Sequence, residues 1–289
     1  MPIDYPAVLD LKEQGRRFSW SERDTMLYAL AVGMGSDPLN TDELPFVYEK
    51  NLRAVPTLAT VVAWGAGISP ERLGVDRRRT LHGEEALEVH RPIPCAGEVS
   101  AASRVVAVYD KGERGAVIER QTVLADVDSG EPIATLTRTA FALADGGFGG
   151  PAQPVVVQGL AAGRAPPQGP PERVIEFDTR PDQALLYRLC GDRNPLHADP
   201  DTARAAGFAG PILHGLCTYG ICCRAVLQAF CQYDPARLRR FAVRFSAPVF
   251  PGDRIVVKLW NAAGEVSFEA DVPARGATVI RNGKALVKT

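Results

Sequence analysis

The sequence predicts an α+β chain built from two related halves, and three observations carry that reading. Helical periodicity comes early in each half and strand-like segments come late, which is the order of an α+β fold and not the alternation that builds a parallel sheet. A stretch rich in Gly and Pro separates the halves as a linker, running from Gly146-Gly147 and Gly149-Gly150-Pro151 through Pro154 to Pro166-Pro167 and Pro170-Pro171. Short motifs recur across it at one offset: Pro56 against Pro211, Gly97-Glu98 against Gly252-Asp253, and Asp37 against Asp192 all lie 155 residues apart. The expected organisation is a first half over 1–145, a linker over 146–172 and a second half over 173–289.

Within each half the same elements follow in order: a helix, an irregular polar loop, a second helix opened by proline, and several long strands. In the first half the helix opened by Pro56 soon meets Gly65, Gly67 and Ser69-Pro70, which stop or loosen it after a few turns. Its counterpart, opened by Pro211, repeats Leu213, Leu216, Gly220, Cys223, Val226, Leu227 and Phe230 at three- and four-residue spacing. That pattern reads as a buried helix of about five turns. One half thus leaves space where the other is filled. Frequent Val, Ile, Thr and aromatic residues predict strands over 84–89, 98–109, 116–127 and 133–143, then over 241–245, 253–260, 265–272 and 277–287. Turn signals at Asp126-Val127-Asp128-Ser129-Gly130, 261–264 and Asn282-Gly283 punctuate them.

Composition excludes several classes. With 289 residues, 46% hydrophobic and 23% charged, the chain can bury a substantial core and is not disordered. Its 33 Lys and Arg against 34 Asp and Glu leave a net charge of −1, so no overall basic field recruits a nucleic acid or an anionic membrane. The uncharged stretch 205–223 approaches the ~20 residues a membrane span needs, yet it holds Gly207, Gly210, Pro211, Gly215 and Gly220 and reads as a loop entering a buried helix. Residues 1–14 carry Asp4, Asp10, Lys12 and Glu13 with no apolar run of a secretory signal, and Val287-Lys288-Thr289 is not a Ser-Lys-Leu peroxisomal address. Six cysteines, two of them adjacent at Cys222-Cys223 and none in a C-x-x-C pair, fit neither a disulfide framework nor a zinc site. Reduced, mostly buried thiols and a cytoplasmic location are expected.

The chemistry concentrates in residues 192–215. Gly191-Asp192-Arg193-Asn194-Pro195-Leu196-His197 sets an acid and an imidazole five positions apart in a loop stiffened by Pro195. Asp192 can accept a proton from water and His197 can orient that water or return a proton, the pair that adding or removing water requires. Asn194 fixes the geometry of either. At the opening of the buried helix, Gly215 lets a substrate approach its backbone N–H, where the helix N-terminus stabilises an enolate-like oxygen. Taken singly, an Asp in such a loop is a turn residue and a His beside a helix start is a cap or a core group. Asp192, His197, Asp199 and His214 are also candidate metal ligands, but their spacing matches no usual metal motif.

The run Gly191-Asp192-x-Asn194-Pro195-Leu196-His197, with Gly207-Phe208 and Pro211-Ile212-x-His214-Gly215-Leu216 after it, resembles the signature of (R)-specific 2-enoyl-CoA hydratases, the MaoC-like or hydratase 2 group. In the first half Phe46-Val47-Tyr48-Glu49, Val55-Pro56-Thr57, Leu81-His82-Gly83-Glu84, Asp110-Lys111-Gly112 and Gly146-Gly147-Phe148-Gly149-Gly150 resemble the hydratase 2 part of the peroxisomal multifunctional enzyme type 2. The resemblance therefore covers nearly the whole chain. It implies a double hot-dog fold, two tandem domains that each wrap an antiparallel sheet around a helix.

The resemblance also implies roles. The catalytic pair falls on Asp192 and His197, a helper on Asn194 and an oxyanion-hole N–H on Gly215, while His82, Gly83 and Lys111 lie along the coenzyme A moiety and Phe245 packs against the thioester. Lys111 is a cation able to meet a phosphate and Phe245 an apolar face, although a strand turn and a core residue are their ordinary uses. The first-half copy, Asp37-Pro38-Leu39-Asn40, lacks a histidine, so one active site per chain is expected and the first half keeps acyl and CoA binding. The weakened helix beside Ala63 and Ala66 then leaves a channel for a long or bulky acyl chain.

The implied reaction is reversible hydration of trans-2-enoyl-CoA to (3R)-3-hydroxyacyl-CoA by a hydro-lyase with no metal or redox cofactor, acyl-CoA being the substrate. Three alternatives stay open: a (3R)-hydroxyacyl dehydratase working on acyl carrier protein, a hot-dog thioesterase, and a non-catalytic acyl-CoA-binding subunit. The Asp-x-Asn-Pro-x-His loop argues against the thioesterase. Two halves pairing within one chain suffice for a site, and the family tendency adds a possible homodimer.

Overall fold

The computed structural model describes residues 3–152 and 165–288. Its strands are β1 (Lys12–Trp20), β2 (Thr80–Val89), β3 (Gly97–Asp110), β4 (Ala116–Asp126), β5 (Pro132–Ala142), β6 (Arg173–Asp178), β7 (Leu238–Phe245), β8 (Arg254–Ala262), β9 (Glu265–Val272) and β10 (Ala277–Val287). They form one antiparallel sheet in the order β1-β3-β4-β5-β2-β7-β10-β9-β8-β6. Counted from each outer edge inward, both halves run first, third, fourth, fifth, second strand. The repeat seen at the 155-residue offset is thus a repeat of topology, and the chain is a double hot-dog. The halves join where β2 pairs with β7, Glu84 opposite Arg244 and Glu88 opposite Arg240.

Two leading strands, β1 and β6, escape the sequence reading, which begins each half with a helix. Lys12–Trp20 is almost wholly exposed and lacks period-two alternation, and Arg173–Asp178 is only six residues long. Each lies at a sheet edge with a single neighbour among the described residues, where charged side chains are tolerated and block further pairing.

The helix Gly215–Phe230 fills the second half, with Leu216, Tyr219, Cys223 and Val226 among an unbroken buried run. It does not begin at Pro211. Residues 211–213 stay extended because Leu213 N–H donates to Val249 O at 2.7 Å, and the helix has about 4.4 turns instead of five. The first-half equivalent is a 3₁₀ turn, Pro56–Leu58, followed by the single helical turn Ala59–Val62. Its early stop, expected from Gly65 and Gly67, leaves a cavity of about 410 Å³ beside Ala63 and Ala66.

An ion pair ties the halves from inside. Arg224 of the long helix meets first-half Glu43 at 2.5 and 2.8 Å, with Glu43 fully buried and the guanidinium stacked on Phe177 at 4.4 Å. The start of the expected linker is not slack either. Gly147 and Gly149 donate N–H bonds to the Asp110 carboxylate at 2.8 Å, and these backbone donors hold Asp110 below the usual carboxylate range. Pro154 and the linker's middle, residues 153–164, lie outside the described residues, as do residues 1–2 and 289 at the ends of the expected halves. All six cysteines are free thiols, four of them buried. Among the described residues no helix is long and apolar enough to cross a membrane.

Candidate active site

Asp192 and His197 sit in a loop that the chain folds upon itself. Asp192 Oδ1 accepts the N–H of Asn194 at 3.1 Å, and Asn194 Oδ1 caps the next turn by accepting Leu196 N–H at 3.1 Å. Pro195 starts that turn, Pro195–His197, which delivers the imidazole inward. Gly191 precedes it at φ +143°, and any Cβ there would stand 3.0 Å from Trp64. Glycine is required at this entry by both conformation and space.

His197 Nδ1 lies 2.8 Å from the carbonyl oxygen of Ile212. A carbonyl only accepts, so Nδ1 carries the proton and Nε2 is left as a lone-pair base. Burial pushes the ring below the ordinary histidine value, outweighing the carbonyl bond and the Asp192 charge. His214 stacks on His197 with centroids 3.7 Å apart, and its Nε2 donates to Asp192 O at 3.1 Å. Burial first, then the charge of a protonated His197, push His214 down to about 4. Two stacked imidazoles of this kind remain neutral at physiological pH.

These groups line a cavity of about 480 Å³ that also contains Asn194, Gly215, His82, Phe245 and Trp64. His214 gives no side-chain cap to the long helix, and Gly215, the first residue of that helix, lines this space. Phe245 lies 3.3 Å from where a Cβ on Gly215 would be, and His82 packs edge-on against Phe245 at 4.9 Å. His82 Nε2 is 2.8 Å from Glu85 Oε2, which also accepts Arg138 Nε at 2.8 Å. Burial pushes His82 down; it also pushes Glu85 up, but Arg138 and His82 outweigh that and hold the carboxylate low.

The structure therefore brings together Asp192, His197, Asn194, Gly215, His82 and Phe245. Gly83 and Lys111 are not in the lining. Gly83 makes room for the Phe141 ring, 2.2 Å from its absent Cβ, and Lys111 Nζ donates to Ala152 O at 2.5 Å. Asp199 caps the helix Pro200–Ala205 and does not join the site. Asp192, His197 and His214 each offer one ligand atom within 4.8 Å of the others, the arrangement a cation would use. In the first-half copy Asp37 is exposed and accepts Leu39 N–H at 2.9 Å.

Two family models divide the chain between them. Residues 18–144 match the MFE-2 hydratase 2 N-terminal domain, and residues 163–282 match the MaoC like domain. Over 292 residues the chain is 35% identical to enoyl-CoA hydratase ChsH3 of Mycobacterium tuberculosis, covering 99% of each. The chain belongs to the MaoC-like hydratase 2 family. As a member it is an enzyme of the hydro-lyase class. It is also 36% identical to the peroxisomal enoyl-CoA hydratase 2 of Arabidopsis thaliana, with 91% of this chain and 89% of that one aligned. The crystal structure of a MaoC-like dehydratase from Phytophthora capsici superposes with a TM-score of 0.87 at 32% identity, covering 99% of both chains.

Sequence reasoning missed Trp64 as a wall residue and Glu85, Arg138 and Arg120 as neighbours of the site. Glu85 follows the Leu81-His82-Gly83-Glu84 motif by one residue and lies in a strand read as ordinary. His214 was visible in the second-half motif, but its stacking on His197 leaves no trace in spacing.

Proposed function

We propose that this hydro-lyase adds water across the double bond of a trans-2-enoyl-CoA to give (3R)-3-hydroxyacyl-CoA, and catalyses the reverse dehydration. One observation carries the reading: the Asp192 carboxylate, the free Nε2 of His197 and the N-terminus of the helix at Gly215 converge on one cavity. Asp192 and His197 hold a single water. As its oxygen bonds C3, Asp192 takes a proton, and the pair returns one proton to C2, so the sum is H and OH across the former double bond. His197, its Nδ1 proton fixed on Ile212, orients the water through Nε2. Asn194 keeps the Asp192 carboxylate in place, and Gly215 N–H takes the charge that develops on the thioester oxygen.

Phe245 packs on the thioester, and His82 borders it from the facing strand. Lys111 stands at the β3–β4 turn, three strand spacings from Thr80 on the cavity wall, roughly 14 Å across the sheet, and its long side chain is offered to a coenzyme A phosphate. Gly83 serves that path by letting the strand pass beneath Phe141. The degenerate first half, over 1–145, contributes binding surface and the second half, over 173–289, the acid–base loop. Acyl-CoA is the substrate and no other cofactor is called on.

The deciding experiment mixes the purified protein with a medium-chain trans-2-enoyl-CoA, follows loss of the conjugated thioester absorbance and resolves the product at C3. The expected product is the 3R alcohol. Release of free coenzyme A, or no change with folded protein, would overturn the reading.

A further inference from the structure

The cavity left by the truncated first-half helix opens beside the active site, with Trp64 lining both. Ala63, Ala66, Ile68 and Leu136 give it the walls an alkyl chain wants. The remaining wall is charged: Glu85, Arg120, Arg138 and Arg77 reach the same space. Glu85 is fully buried, and while its Oε2 meets Arg138 and His82, its Oε1 has no hydrogen-bond partner among the described residues. Arg120 donates from Nη1 to Ile68 O at 2.9 Å, yet its buried Nε also lacks a partner among them.

Burial, helped by Arg138, pushes Arg120 down to about 10, which still leaves the guanidinium charged at neutral pH. One carboxylate thus faces three guanidinium groups. A wholly apolar chain end packed here would leave a buried charged donor and a buried carboxylate oxygen uncompensated, a costly arrangement in a pocket wall.

Given the enoyl-thioester reading above, on which this rests, we propose that the cavity receives the far end of the acyl chain and that this end carries an oxygen group, a carboxylate or a hydroxyl, accepting a hydrogen bond from Arg120. The charge count suits a carboxylate. A hydroxyl also fits, because it too accepts a hydrogen bond from the Arg120 guanidinium, which is only half-buried. The chain runs from the reacting carbons past Trp64, whose ring carries Arg138 at 5.9 Å, so the selecting groups begin where the reaction chamber ends.

The test compares kcat/KM for trans-2-enoyl-CoA substrates of equal length ending in methyl, hydroxyl or carboxylate, over a series of lengths. At the length that reaches Arg120 an oxygenated end is expected to win over methyl by about tenfold, the scale of one hydrogen bond to a charged group. In Arg120→Met that ratio should fall to near one. The larger of the hydroxyl and carboxylate ratios identifies which group is read. Methyl-ended substrates turned over as well or better at every length would overturn the proposal while leaving the hydratase reading intact. Hydration of none of them would remove both. The wild-type ratios need no variant, so a misfolded Arg120→Met leaves the test standing.

Discussion

Replacing Gly215 with alanine separates stability from catalysis at one atom. Gly215 opens the long helix and is exposed to the cavity, and an added Cβ would lie 3.3, 3.4 and 3.6 Å from three carbons of the Phe245 ring. Phe245 is only half-buried and can yield the few tenths of an ångström this asks for. Alanine in place of glycine near a helix start favours folding by about 0.5 kcal/mol, or up to about 2 °C in Tm for a chain this long. Under the proposed mechanism the same methyl group would crowd the backbone N–H that meets the substrate oxygen. Losing one oxyanion donor lowers kcat by about 10²- to 10³-fold, or about 3–4 kcal/mol. Enoyl-thioester absorbance gives the rate and a thermal melt the stability. A folded Gly215→Ala protein whose kcat/KM stayed within about threefold of wild type would refute the role given to this N–H.

Asp192→Asn keeps an oxygen to accept Asn194 N–H, so the loop should hold while kcat/KM drops by about 10²- to 10⁴-fold in the same absorbance assay. Gly191→Ala must abandon φ +143° and push against Trp64 at 3.0 Å, so it should cost about 1–3 kcal/mol in a urea melt and reduce turnover with it. Arg224→Met strands the buried Glu43 carboxylate and should cost about 3–5 kcal/mol, with Glu43→Gln added in the double mutant restoring part of it. His197 and His214 bind protons less readily folded than unfolded, so their stabilisation is full above the unfolded histidine value near 6.5 and is lost as pH falls through the folded values, about 4 for His214. His214 accounts for at most about 3 kcal/mol of that, measurable as a falling urea midpoint between about pH 6.5 and 4.

Residues whose signal is local were readable without coordinates. The strands beginning at Glu265 and Ala277 have the bounds their Val and Ile residues imply, although Asn282-Gly283, read as a turn, instead makes a bulge inside the second of them with Asn282 at φ +53°. The stop after Val62 was written in Gly65 and Gly67. What depends on partners distant in sequence was not. Trp64 matters because Gly191, 127 residues later, folds against it, and Glu85 gains meaning only beside Arg138 on the neighbouring strand. Among the described residues the outer strand Lys12–Trp20 pairs only with β3, and its polar surface carries no hydrophobic pattern to announce it.

The seam between β2 and β7 has an evolutionary consequence. A pair of identical subunits must carry every substitution twice, so a change that breaks the central helix to open a cavity would hollow out both cores together. Here the two copies share one polypeptide and one sheet, and mutation can treat them separately. The copy around Ala59–Val62 has one helical turn with a cavity beside it, while the copy around Gly215–Phe230 has a full-length buried helix and the stability that comes with it. Fusion also makes the seam's effective concentration independent of dilution, so the asymmetric half is held in place however little protein is present.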